Sequence, residues 1–107
     1  MTDFIQQIRA SAKKRILYTL HALNEMNAKD ELISKDEVRE VLFEGEIIEE
    51  YPEDKRGHSC LMMGVTNKRR HVHVVCAPKE DYLAVITVYV PAINKWENNF
   101  KTRRERL

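Results

Sequence analysis

Residues 59–78, SCLMMGVTNKRRHVHVVCAP, form two alternating runs around a short polar turn. That is the pattern of an antiparallel hairpin in which each strand turns one face inward. A two-residue turn at Asn67–Lys68 pairs Thr66 with Arg69, and counting along the strands it sets Met62 opposite His73 and Cys60 opposite Val75. In that register one face carries Cys60, Met62, Gly64, His71, His73 and Val75. The other carries Leu61, Met63, Val65, Val72, Val74 and Cys76, and is apolar throughout. The apolar face is expected to take the helices, and the histidine face to stay open or only partly covered. Cys60 and Cys76 then lie on opposite faces, which argues against a disulfide.

Further strands are expected near 46–52 and 82–90, with the hairpin strands near 59–66 and 69–76. The connections between them are short, which favours an antiparallel meander. In the last strand Ile86, Val88 and Val90 are expected in the core, with Val85, Thr87 and Tyr89 on the other face. Before Gly45 the period is helical. Phe4, Ile5, Ile8 and Ala12 over 4–15 mark a first helix that ends near Arg15–Tyr18, and Thr19 is an N-cap for a second that starts at Leu20. Ser34 and Glu37 form a capping box for a third, whose Val38, Val41 and Leu42 face the core and which Gly45 ends. The expected fold is one α+β domain over 1–107, two or three N-terminal helices on a four-stranded antiparallel sheet. The C-terminal KWENNFKTRRERL is read as a short helix or a tail docked by Trp96 and Phe100, basic through Lys101, Arg103, Arg104 and Arg106.

A chain of 107 residues with 43% hydrophobic and 33% charged residues has the composition of a folded domain. Its net charge of +1 conceals an asymmetry: residues 1–54 hold 7 Lys/Arg against 13 Asp/Glu, and residues 55–107 hold 11 against 4. A basic half can offer a polyanion one face, and it can equally be a solvated surface. No apolar run approaches the ~18 residues of a membrane span. The first residues lack the apolar core of a signal peptide, so a cytoplasmic protein is expected, with Cys60 and Cys76 as buried thiols.

The histidine face gathers His71, His73, Thr87 and Tyr89, and His21 can join from the second helix. Lys68, Arg69 and Arg70 lie at the adjacent strand end. Imidazoles, a phenol and cations suit metal-independent RNA cleavage, in which one imidazole takes the ribose 2′-OH proton, an imidazolium protonates the leaving 5′ oxygen and a cation offsets the charge at phosphorus, with His21 and His73 sharing the base and acid roles. Arg103 and Arg104 are candidate phosphate contacts. Structural readings stand beside these. His73 is equally a buried, hydrogen-bonded histidine, His71 a surface residue, and Tyr89 a sheet-packing residue. His71 and His73 form a single His-x-His pair without a second ligand grouping, so no metal is expected. No cofactor is expected either.

The runs YTLHALNEM, ISKDEVREVLFEGEIIEEYPEDKRGHSCLMMG, RHVHVV and AVITVYVPAINKW, in this order over residues 16–104, resemble an uncharacterised bacterial domain family. That family shows a Thr-x-His-Ala-x-x-Arg-Met helix start, a Gly-x-Ile-Ile-Glu-x-Tyr strand, a His-Val-Val strand and an Ile-Thr-x-Tyr strand. It is grouped with the RelE-like, barnase-like and colicin-like ribonuclease folds and is similar to MqsR-type toxins. The resemblance implies a small endoribonuclease toxin, a hydrolase acting on RNA, restrained by an antitoxin that is often a YgiT-type zinc-finger protein. It places the site at His21, His73, Thr87 and Tyr89. The family's helix arginine is replaced by Glu25. The other expectation is a non-catalytic member that acts as a protein-interaction module.

Overall fold

The computed structural model describes residues 3–105. The elements are α1 (Phe4–Lys14), β1 (Ile16–Tyr18), α2 (Leu20–Met26), α3 (Lys35–Glu44), β2 (Glu46–Tyr51), β3 (Ser59–Val65), β4 (His71–Pro78) and β5 (Leu83–Tyr89). They form an α+β fold with a sheet in the order β1-β5-β4-β3-β2. The sheet thus has five strands where four were expected. The added strand, β1, lies in a stretch read as the end of a helix and runs parallel to β5, pairing Ile16 with Leu83 and Tyr18 with Val85. Three residues carry too little periodicity to announce a strand, and their partners are far away in sequence.

Local chemistry sets the helix ends. The Asp3 carboxylate accepts the Gln6 N–H, and Lys13 and Lys14 occupy the last turn of α1, where cations complement the exposed carbonyls. Thr19 Oγ1 accepts the Ala22 N–H at 3.0 Å and donates to the Ile86 carbonyl at 2.9 Å, so one side chain caps α2 and fastens it to β5. Ser34 and Glu37 form the expected capping box at α3. Arg9 donates to the carbonyls of Leu42 and Gly45, which α3 leaves without intrahelical partners. A Cβ at Gly45 would sit 2.5 Å from the carbonyl oxygens of Val41 and Met63, so only glycine lets α3 pass this close to β3.

The hairpin differs from expectation by one residue. Cys60 pairs with Cys76, Met62 with Val74 and Met63 with His73. The loop has three residues, 67–69: Thr66 N–H donates to the Arg70 carbonyl at 2.9 Å, and Arg69 takes the left-handed φ of 60°. A two-residue loop needs left-handed backbone that Asn-Lys does not favour, so the chain adopts the longer form ending in a left-handed residue. A one-residue shift exchanges the faces of β3. Cys60, Met62 and Gly64 join Val72, Val74 and Cys76 beneath the helices, while Leu61, Met63 and Val65 share a face with His71 and His73. The two cysteines are therefore on one face, free and buried, with sulfurs 3.9 Å apart.

An irregularity in the β4–β5 pairing has a similar effect. Thr87 pairs with Val75 and Val85 with Cys76, so the bulge at Ile86 puts Val85 in the core and turns Ile86 out of it. The core lies between the helices and this sheet face. Ile8, Ala22, Val38, Val41 and Leu42 meet Met62, Val72, Val74, Leu83, Val85 and Val88. Each such Val or Leu contributes about 1.5–3 kcal/mol when fully buried.

Candidate functional site

The opposite sheet face, expected to be open or only partly covered, is covered at its His73 end and open as a groove at the other. The chain after β5 folds back over it without forming a helix and closes on itself through a bridge between Trp96 and Arg103. His73 is 0% exposed beneath this segment, and Trp96 is 2% exposed. The imidazole is fully engaged. The Phe100 carbonyl can only accept, so Nε2 carries the hydrogen and donates to it at 2.7 Å, while Nδ1 accepts from the Tyr89 hydroxyl at 3.1 Å. Trp96 packs edge-on to the ring at 4.5 Å. Burial pushes the His73 pKa down to about 4, against the opposing pull of the Phe100 carbonyl and Glu49. His71 lies against the Phe100 ring at 4.5 Å.

The expected phosphate-binding cations are largely committed within the fold. Arg70 makes a two-pronged pair with Glu37, Nε to Oε2 at 2.9 Å and Nη2 to Oε1 at 2.8 Å, and donates to the Glu31 and Leu32 carbonyls. Thr66 Oγ1 adds a 2.7 Å bond to the fully buried Glu37 carboxylate. Burial alone would raise the Glu37 pKa, but Arg70, Thr66 and the Ser34 N–H pull it to about 2. Lys68 lies 3.4 Å from the same carboxylate. Arg103 pairs in the same two-pronged way with Glu49 and stacks over Trp96. Glu49 also accepts from the Tyr51 hydroxyl. Arg104 bonds the Ile93 carbonyl and the Glu97 and Asn98 side chains. Arg69 is exposed in the turn. Arg106 lies outside the described residues.

An open groove of about 460 Å³ lies at the other end of the β5 face. Ala77, Ala84 and Ile86 give it an apolar floor, and Thr19, His21, Arg56, Lys79 and Thr87 supply the polar groups. The fold thus brings His21 and Thr87 to one groove and places His73 apart from it, sealed and bonded to a half-buried Tyr89. His21 projects from the first turn of α2, which Thr19 pins to β5, and its side chain is 66% exposed. Its Nε2 lies 3.3 Å from Glu25 Oε1, one helical turn on. That carboxylate oxygen also accepts the Val88 N–H at 2.9 Å, which ties it to the sheet. Lys79 Nζ donates to the Arg56 carbonyl, and the Arg56 guanidinium pairs with Asp54, whose carboxyl is held well below its usual range. Sequence reading missed Arg56 and Lys79 because each sits in a connection with no periodic context. Thr19 was assigned only its cap.

The remaining histidine, His58, stacks on Phe4 and bonds Glu50. Among the described residues no three His, Cys, Asp or Glu side chains converge as metal ligands do, and no helix is long and apolar enough to cross a membrane. No curated protein and no solved structure matches the chain. The family described as Domain of unknown function (DUF4258) matches residues 18–90, from the last residue of β1 to just past β5. That match spans α2, α3 and every long strand, including the residues that build the groove and the His73–Tyr89 pair. The chain belongs to the DUF4258 family.

Proposed function

We propose that this chain is a metal-independent endoribonuclease of the toxin type, working at the groove that holds His21. The observation that carries the reading is the juxtaposition of an exposed imidazole, the Thr87 hydroxyl and the Lys79 and Arg56 cations over an apolar floor. The resemblance of the sequence to a domain family grouped with RelE-like and barnase-like ribonucleases supports it. In the reaction His21 takes the proton of a ribose 2′-OH, and the 2′-oxygen bonds to phosphorus. The bond from phosphorus to the 5′-oxygen breaks, leaving a 2′,3′-cyclic phosphate and a 5′-oxygen that solvent protonates. Lys79 and Arg56 offset the charge that builds on the phosphoryl oxygens, and Thr87 positions them. His73 and Tyr89 hold the C-terminal segment on the sheet and do not touch substrate in this scheme. A cytoplasmic setting and a cognate antitoxin, of the YgiT zinc-finger type, belong to the same proposal.

The test is induction of wild type, His21→Ala and His73→Ala in growing bacteria with total RNA followed. Growth arrest and RNA loss with wild type, abolished by His21→Ala, are expected. Intact RNA in all three refutes the reading. A second reading, a non-catalytic protein-interaction module, is favoured by two observations: His73 is sealed away from the groove of His21 instead of sharing one cleft with it, and Arg56, Arg70, Arg103 and Arg104 are held in ion pairs, which leaves few cations to grip RNA. Stable association with a partner protein and no RNA loss is its outcome in the same cells.

A further inference from the structure

We infer that Glu25 is a positioning residue that holds His21 with Nε2 protonated and Nδ1 free for the groove; this rests on the ribonuclease reading above. Three observations combine. The carboxylate is itself fixed, because Oε1 accepts the Val88 N–H of β5 at 2.9 Å. The same oxygen lies 3.3 Å from His21 Nε2, and a carboxylate at that nitrogen favours the tautomer that carries hydrogen there. Among the described residues Nδ1 has no protein partner, so it is the nitrogen left to accept a proton. An imidazole 66% exposed on a seven-residue helix would otherwise sample several rotamers and both tautomers.

The inference gives a role to the departure at position 25, where the family it resembles carries arginine. An arginine there would offer no acceptor to the Val88 N–H. The Glu25 Oε1 accepts that N–H and also lies 3.3 Å from His21 Nε2. The phosphate charge is then left to Lys79 and Arg56 across the groove.

The experiment compares full-length wild type, Glu25→Gln and Glu25→Ala. Glutamine keeps an oxygen for the Val88 N–H and so keeps α2 docked, but it loses the charge. In ¹⁵N-labelled protein at pH 8.5, with His21 assigned by a His21→Gln variant, ring ¹⁵N shifts of an unprotonated Nδ1 and a protonated Nε2 are expected in wild type. Both shifts should move toward averaged values in Glu25→Ala. The kcat for a short RNA should fall roughly tenfold in both Glu25 variants with KM within twofold. Identical His21 shifts in wild type and Glu25→Ala, or unchanged kcat in both variants of an active enzyme, would overturn the positioning role. The expected shifts with no cleavage by wild type would overturn the ribonuclease reading and leave the assignment of Nδ1 as the free nitrogen standing.

Discussion

Replacing Arg70 by methionine keeps the aliphatic stem and removes the guanidinium from a carboxylate that is 0% exposed. Glu37 then keeps Thr66 Oγ1 at 2.7 Å, the Ser34 N–H at 3.2 Å and the 3.4 Å approach of Lys68, and loses its two shortest charged bonds. The Glu37 pKa stands at about 2 against an ordinary 4.5, which corresponds to about 3 kcal/mol of folded-state stabilisation at neutral pH. Breaking a buried pair costs about 3–5 kcal/mol, and the partial exposure of Arg70 together with the surviving bonds brings the expected loss to about 2–4 kcal/mol. A depressed carboxylate pKa gives stability that is complete above pH 4.5 and is lost as pH falls from 4.5 toward 2. The difference between wild type and Arg70→Met should therefore be largest near pH 7 and narrow through that window. Urea denaturation followed by circular dichroism at pH 7, 5, 4 and 3 measures it. A loss below ~1 kcal/mol at pH 7, or a difference that does not narrow with acid, would refute the reading that Arg70 stabilises the buried Glu37 carboxylate.

His73 has a pKa lowered to about 4, so the unfolded chain binds its proton first, and stability falls as pH drops from 6.5 to 4 by on the order of 3 kcal/mol. His73→Phe should flatten that slope and cost about 1–3 kcal/mol at pH 7, because the Tyr89 hydroxyl and the Phe100 carbonyl lose their partner. Emission from Trp96, the single tryptophan, should move to the red in the same variant and report the loosened segment. Gly64→Ala should cost about 1–3 kcal/mol by thermal unfolding, because its Cβ would lie 3.1 Å from Val41 Cα on α3.

The helix ends were legible because each rests on a local contact: Thr19 to Ala22, Ser34 with Glu37, and the stop at Gly45. The α3 core residues Val38, Val41 and Leu42 were legible from their spacing, and all are fully buried. The hairpin at 59–78 was legible as a hairpin but its register was not, since register depends on whether Arg69 takes a left-handed conformation. The bulge that exchanges Val85 and Ile86 leaves no mark on an alternating run. Strand β1 and the cover over His73 depend on pairings far apart in sequence, such as Ile16 with Leu83 and Arg103 with Glu49. In the candidate site, Thr87 was legible from the strand alternation and His21 from the start of α2, and the family motif includes both. Arg56 and Lys79 became visible only when the loops carrying them met beside β5.

The central claim is that RNA is cut at the His21 groove, and the most direct measurement is end-group analysis of a short RNA incubated with the purified full-length protein and with His21→Ala, in chelator. The account predicts 2′,3′-cyclic phosphate and 5′-hydroxyl ends with wild type and none with His21→Ala. Intact RNA with wild type, or the same ends at the same rate with His21→Ala, would contradict it.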